Sequence, residues 1–288
     1  ELSAQAARLR LAGQLRELAW SLTGLQAEAR AAEAQQGYLR ELGRDVERRV
    51  RAGELAHSDA LAARGELLAA ETEAMAGSQR LQAERLRWQS LTGLPAEIEP
   101  SEPAEPRADA PVDGHPALLQ ALQAVEAARR QLELERRNRS EAPELTLGYR
   151  EDRSERGQAT ERSMAIGLRL PFGADMRNAP LQAAAQAALD QAEAELLRLR
   201  QELETELAVA RGALLGAEQQ ARLQEQRAEL LRQRAALLER SFRAGETALP
   251  ELLLAVQATA QAEAIQARHH AALGLARARL LQASGLLP

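Results

Sequence analysis

The sequence predicts a mainly α protein in which long antiparallel coiled-coil helical hairpins form a duplicated repeat, with one β-hairpin between the copies. Three observations carry this expectation. Ala, Leu, Glu, Gln and Arg dominate, with only two Phe, two Tyr and two Trp in 288 residues, so the core is a set of narrow Ala/Leu seams. Six of eight positions agree between ERRVRAGE (47–54) and ERSFRAGE (239–246), an offset of 192 that also carries Gly93 onto Gly285. Finally, residues 145–149 and 164–172 alternate apolar with small or polar side chains, the period of a strand.

Residues 1–94 form the first helical hairpin. Leu11, Leu15, Leu18, Leu22, Leu25, Ala29, Leu39, Val46 and Val50 recur in steps of three and four or their sums, a stripe with the coiled-coil spacing of about 3.5 residues. The chain then turns at Arg51, Ala52, Gly53 and Glu54, where Gly53 suits the left-handed position that closes a helix. A returning helix runs from about Ser58 to Leu91. Residues 95–116 carry Glu97, Glu99, Glu102, Glu105, Asp109 and Asp113 against Arg107, with prolines that forbid a helix, and form an extended connector. That segment alone accounts for the formal net charge of −5. Residues 117–143 hold a shorter helix with Leu118, Leu122, Val125 and Leu132 on one side.

Residues 144–173 are the β-hairpin. Leu145, Leu147 and Tyr149 share a face with Met164, Ile166, Leu168, Leu170 and Phe172. The other face carries Thr146, Gly148, Arg150, Ser163, Ala165, Gly167 and Arg169. This is the alternation of a transmembrane barrel strand, and EDRSERGQATER (151–162) is charged enough for an extracellular loop. A soluble hairpin with its apolar face laid on a helix has the same pattern. Residues 174–288 repeat the first hairpin, with the offset partners Leu203, Leu207, Ala210, Leu214, Ala217, Ala221, Leu231, Leu238 and Phe242 in the seam. The second tip is Arg243, Ala244, Gly245 and Glu246, and Pro250 opens the return.

Several functions are excluded or disfavoured on composition and pattern. All 37 basic residues are Arg, yet outside the connector the charge is nearly balanced, which disfavours nucleic acid. With no Cys there is no thiolate metal site. His269 and His270 are adjacent in a helix and diverge by about 100°, so they do not chelate one ion, and His57 and His115 stand alone. No nucleophile–base set, phosphate loop or paired catalytic carboxylates appear, so neither an enzyme nor a cofactor is expected.

The order of helical hairpin, connector, helix, strand pair and second helical hairpin resembles the TolC-like outer-membrane efflux family, and RLPFGADMR (169–177), with Pro171, Phe172 and Gly173, is similar to that family's strand-to-helix crossing. The LTGLP stretch at 91–95 and the segment from Gly114 to Tyr149 look most like its heavy-metal efflux branch. The resemblance implies a homotrimer in the bacterial outer membrane, in contact with lipid, with a shared β-barrel standing on a periplasmic helical tunnel. It also implies a strand pair ahead of the first hairpin. It implies a passive conduit for metal cations or small toxic compounds, served by a periplasmic membrane-fusion adaptor and an inner-membrane efflux pump. The two tips are then adaptor-docking surfaces, and Asp59 and Glu251, each six residues past a tip glycine, are aperture acids. The alternative reading is a soluble coiled-coil scaffold or interaction protein.

Overall fold

The computed structural model describes residues 2–96, 100–101, 112–137, 143–152, 161–170 and 175–286. Its helices are α1 (Leu2–Arg51), α2 (His57–Thr92), α3 (Pro116–Arg137), α4 (Asp175–Arg243) and α5 (Leu249–Ala283), and its strands are β1 (Glu144–Asp152) and β2 (Glu161–Arg169). The chain divides into two units, one of Glu1–Pro116 with Leu203–Pro288 and one of Ala117–Glu202, with α4 running through both.

In the first unit α2 and α5 both pack on α1, and α4 lies against α5 through Leu207, Ala210, Leu280 and Ala283. The Thr259 hydroxyl donates to the Leu231 carbonyl at 3.1 Å, and Arg232 meets Glu263 at 3.4 Å along the same junction. Thus α1 and α5 form a shared pair with α2 on α1 and α4 on α5, while α1 also meets α4 near the tips and α2 touches α5. The seam expected from the sequence is largely realised. Leu22, Ala29, Leu81 and Trp88 bury between α1 and α2, while Leu39, Val46, Phe242, Leu249 and Leu252 gather near the tips. Burying a Val or Leu this fully contributes ~1.5–3 kcal/mol each. Leu11 departs from the expected stripe at 48% exposed. Leu9 and Ala6 are buried instead, a shift of the seam around the helix.

Small residues let α1 and α5 approach closely. A Cβ added at Gly274 would stand 2.3 Å from the Trp20 ring, and one at Gly24 would stand 3.0 Å from Ala271. Ion pairs Arg268–Glu28 at 3.2 Å and Arg279–Glu17 at 2.9 Å flank this junction. His115, at the end of the connector, is buried against the left-handed Gly285 that closes α5. Desolvation lowers its pKa below the usual 6.5, and the Glu206 carboxylate opposes that shift.

In the second unit Val125 and Leu132 of α3 bury against Ala185 and Leu189 of α4, and Arg129 meets Glu193 at 3.2 Å. Leu122, expected on the same side, is exposed. The strands pair antiparallel with Leu145 opposite Leu168, Leu147 opposite Ile166 and Tyr149 opposite Met164, so the expected apolar face forms in register. Thr146–Gly167, Gly148–Ala165 and Arg150–Ser163 make the other face. Glu151 and Arg162, expected in the loop, are a cross-strand ion pair at 3.4 Å. The remaining loop residues, 153–160, and the crossing residues Pro171, Phe172 and Gly173 lie outside the described residues.

Candidate functional site

Two features of the fold present exposed side chains, and the first is the pair of tips. Both turns have one geometry. Gly53 has φ +79° and Gly245 φ +78°, the left-handed region that only glycine enters without strain. Around Gly53 the Glu54 N–H donates to the Arg49 carbonyl at 2.9 Å and the Gly53 N–H to the Val50 carbonyl at 3.0 Å. Around Gly245 the Glu246 N–H donates to Ser241 and the Gly245 N–H to Phe242, both at 3.0 Å. These are the nested bonds of a Schellman closure, repeated at the 192-residue offset. Satisfying the last carbonyls of each helix inside the turn leaves the side chains outside it, and all eight tip residues are exposed.

The side chains that brace the tips differ between the copies. Arg49 donates from Nε to Glu54 at 3.1 Å and from Nη1 to the Phe242 carbonyl at 3.4 Å, and its guanidinium lies 5.0 Å from the centre of the Phe242 ring. One residue thus fixes the first tip and ties it to the second. The offset partner of Arg49 is Ser241, which donates to Glu246 at 3.4 Å and accepts from the Thr247 hydroxyl at 2.6 Å. Sequence reasoning singled out Arg51 and Arg243, which only bond back within their own helices, to the Glu47 carbonyl and the Glu239 carboxylate. The signal for Arg49 was the aromatic residue at 242, where the first copy has Val50. Between α1 and α4, just above the tips, Tyr38 is half buried, and desolvation together with the nearby Glu239 pushes its hydroxyl up to about 12.

The two acids past the tips also differ. The Asp59 carboxylate accepts the Ala56 N–H at 3.1 Å and so closes the first turn of α2. The Glu251 side chain, in the first turn of α5, is exposed, while its N–H donates to the Ala248 carbonyl at 3.2 Å.

The second feature is the apolar face of the hairpin. Leu145, Leu147, Tyr149, Met164, Ile166 and Leu168 are between 57% and 85% exposed, so no element of the described chain covers them. A two-stranded sheet of this length is marginal in water, and a continuous uncovered apolar face marks contact with another surface. Among the described residues no cluster of His, Asp and Glu could hold a metal ion, and no helix is long and apolar enough to cross a membrane.

No protein-family model matches the chain, and no curated protein matches it by sequence. Solved structures do match in fold. The chain is similar to a membrane protein from Pseudomonas aeruginosa (TM-score 0.79, 19% identity), to the outer membrane protein VceC from Vibrio cholerae (0.77, 16%) and to the Campylobacter jejuni CmeC outer membrane channel (0.76, 14%). Each likeness covers 99% of this chain, and respectively 68%, 72% and 64% of the other. The fold is therefore that of outer-membrane channel proteins, over nearly the whole of this chain.

Proposed function

We propose that the chain is part of an outer-membrane channel of a tripartite efflux system, a passive homotrimeric conduit that leads metal cations or small toxic compounds from the periplasm to the exterior. The observation that carries this reading is the hairpin, whose apolar residues pair in register on one face and stay uncovered while the other face is small and polar. In a barrel the first face meets lipid and the second meets water. The fold shared with VceC and CmeC supports the same reading, as do two exposed tips suited to a periplasmic adaptor. An inner-membrane pump drives transport through that adaptor. Glu251 contributes negative charge to the periplasmic aperture, and the heavy-metal branch fits the LTGLP and 114–149 segments.

The hairpin gives the decisive test. Leu147→Asp with Ile166→Asp places two carboxylates on a directly paired lipid-facing site. Charges at such depth cost up to ~2–4 kcal/mol each in a barrel, with Asp toward the low end. The full-length variant should leave the outer-membrane fraction and fail to restore efflux in a strain lacking the gene, while Thr146→Asp on the opposite face should restore it. If the double variant is inserted and exports normally, the apolar face does not meet lipid.

A further inference from the structure

Between α1 and α4, with α5 as its floor, the first unit holds a cleft of about 480 Å³, a size at which small molecules are bound between helices. Its apolar lining is small: Gly13, Val209, Ala210, Ala213 and Ala278. At the offset of 192 the counterparts of Ala210, Ala213 and Ala278 are Leu18, Ser21 and Leu86, and that of Gln282 is Ser90. The space and the amide on its floor therefore belong to this junction and are not inherited from the repeat. The cleft is also remote from the tips, since Gly13 precedes Gly53 by 40 residues, about 60 Å of helix.

The floor carries an unmet hydrogen bond. Gln282 Oε1 is buried and has no hydrogen-bond partner among the described residues. Gly13 makes room for it, because a Cβ at that position would stand 2.9 Å from the same oxygen. A buried acceptor left alone costs stability, and a group that supplies its missing partner recovers that cost. A hydroxyl both donates and accepts, so it satisfies the amide whichever way its oxygen and nitrogen are turned.

The walls differ in charge. Arg10, Arg16 and Arg279 line the cleft with Glu17 and Glu206, an excess of one positive charge. Arg279 donates to Glu17 twice, at 3.0 and 2.9 Å, which closes that pair. Glu206 on the α4 wall repels an anion, so the α1 wall, with Arg10 and Arg16 less than two turns apart, is where an anion is received.

We propose that this cleft binds a small apolar acid that carries a hydroxyl, with its carboxylate on the Arg10 and Arg16 wall, its hydroxyl on the Gln282 amide and its apolar body against Ala210, Ala213 and Ala278. Such a site goes beyond the conduit reading and does not depend on it. The three contacts divide the recognition in the usual way: apolar area supplies affinity, while the charge and the amide select what enters.

The compound 4′-hydroxybiphenyl-4-carboxylate combines the three features and serves as the probe. Equilibrium dialysis against the purified full-length protein in detergent, with protein-free micelles as the blank, should show saturable binding. The methyl ester should bind at least ~ten-fold more weakly, and biphenyl-4-carboxylate, which lacks the hydroxyl, roughly three- to ten-fold more weakly. Arg10→Met with Arg16→Met should weaken the acid and leave the ester unchanged. Gln282→Leu should bind the two acids equally, because the hydroxyl then has no partner. Ala213→Phe fills the cleft from an exposed wall position and should abolish saturable binding, which keeps the test intact if melting curves show that the Gln282 variant is unfolded. No saturable binding, an ester that binds like the acid, a hydroxyl preference that survives in a folded Gln282→Leu protein, or binding untouched by Ala213→Phe would each overturn the inference.

Discussion

Replacing Gly245 with Val separates the tip as a docking surface from the tip as a simple turn. A Cβ at Gly245 meets nothing within 4 Å, so no neighbour has to move and the whole cost lies in the backbone at φ +78°. A left-handed conformation costs a side-chain-bearing residue ~1–2 kcal/mol, and a β-branched one sits at the upper end. If Val instead leaves that region it escapes this strain, but the turn loses the Gly245 and Glu246 N–H bonds, at ~0.5–1.5 kcal/mol each. The loss is therefore about 1–3 kcal/mol by either route, and because Leu249, Leu252 and the rest of the seam are untouched it falls on the turn. Guanidinium unfolding of the purified full-length protein measures this component. Site-specific crosslinking from Thr247 to the cognate adaptor measures docking, and it should drop at least ten-fold while most of the folded population remains. Gly245→Asn is the control, since Asn tolerates the left-handed region and should crosslink like the parent. Equal crosslinking and equal resistance in the Val and Asn variants would refute the docking role and leave a helix stop.

Two further outcomes follow from groups whose surroundings are defined. Burial holds the His115 pKa in the folded chain below the usual 6.5 of the unfolded chain. Its contribution to stability is therefore complete above that pH and lost as pH falls through the lowered folded value; thermal unfolding followed downward from neutral pH should show the loss, and His115→Gln should flatten it. Glu251→Gln in a planar bilayer should reduce cation preference and weaken block by divalent cations from the periplasmic side, whereas Asp59→Asn, whose carboxylate is engaged by the Ala56 N–H, should cost mainly ~0.3–1 kcal/mol of helix stability; unchanged selectivity in the Glu251 variant removes it from the aperture.

Much of this architecture is legible in the sequence because it depends on period and on glycine. The seam residues recur at the coiled-coil spacing, Gly53 and Gly245 mark left-handed closures, and the alternation at 145–149 and 164–168 fixes the apolar face of the hairpin, though a slip by two residues would preserve it and the register comes from the structure. What the sequence hid depends on reach. Leu11 fits the period yet lies in the open, because small residues such as Gly13 and Gly24 let α5 pack on a different line of α1. Arg49 looks like any helical arginine, and its role appears only when folding brings Phe242 beneath it. His115 sits in an acidic, proline-rich segment that reads as solvated, and its burial depends on a glycine 170 residues later, at Gly285.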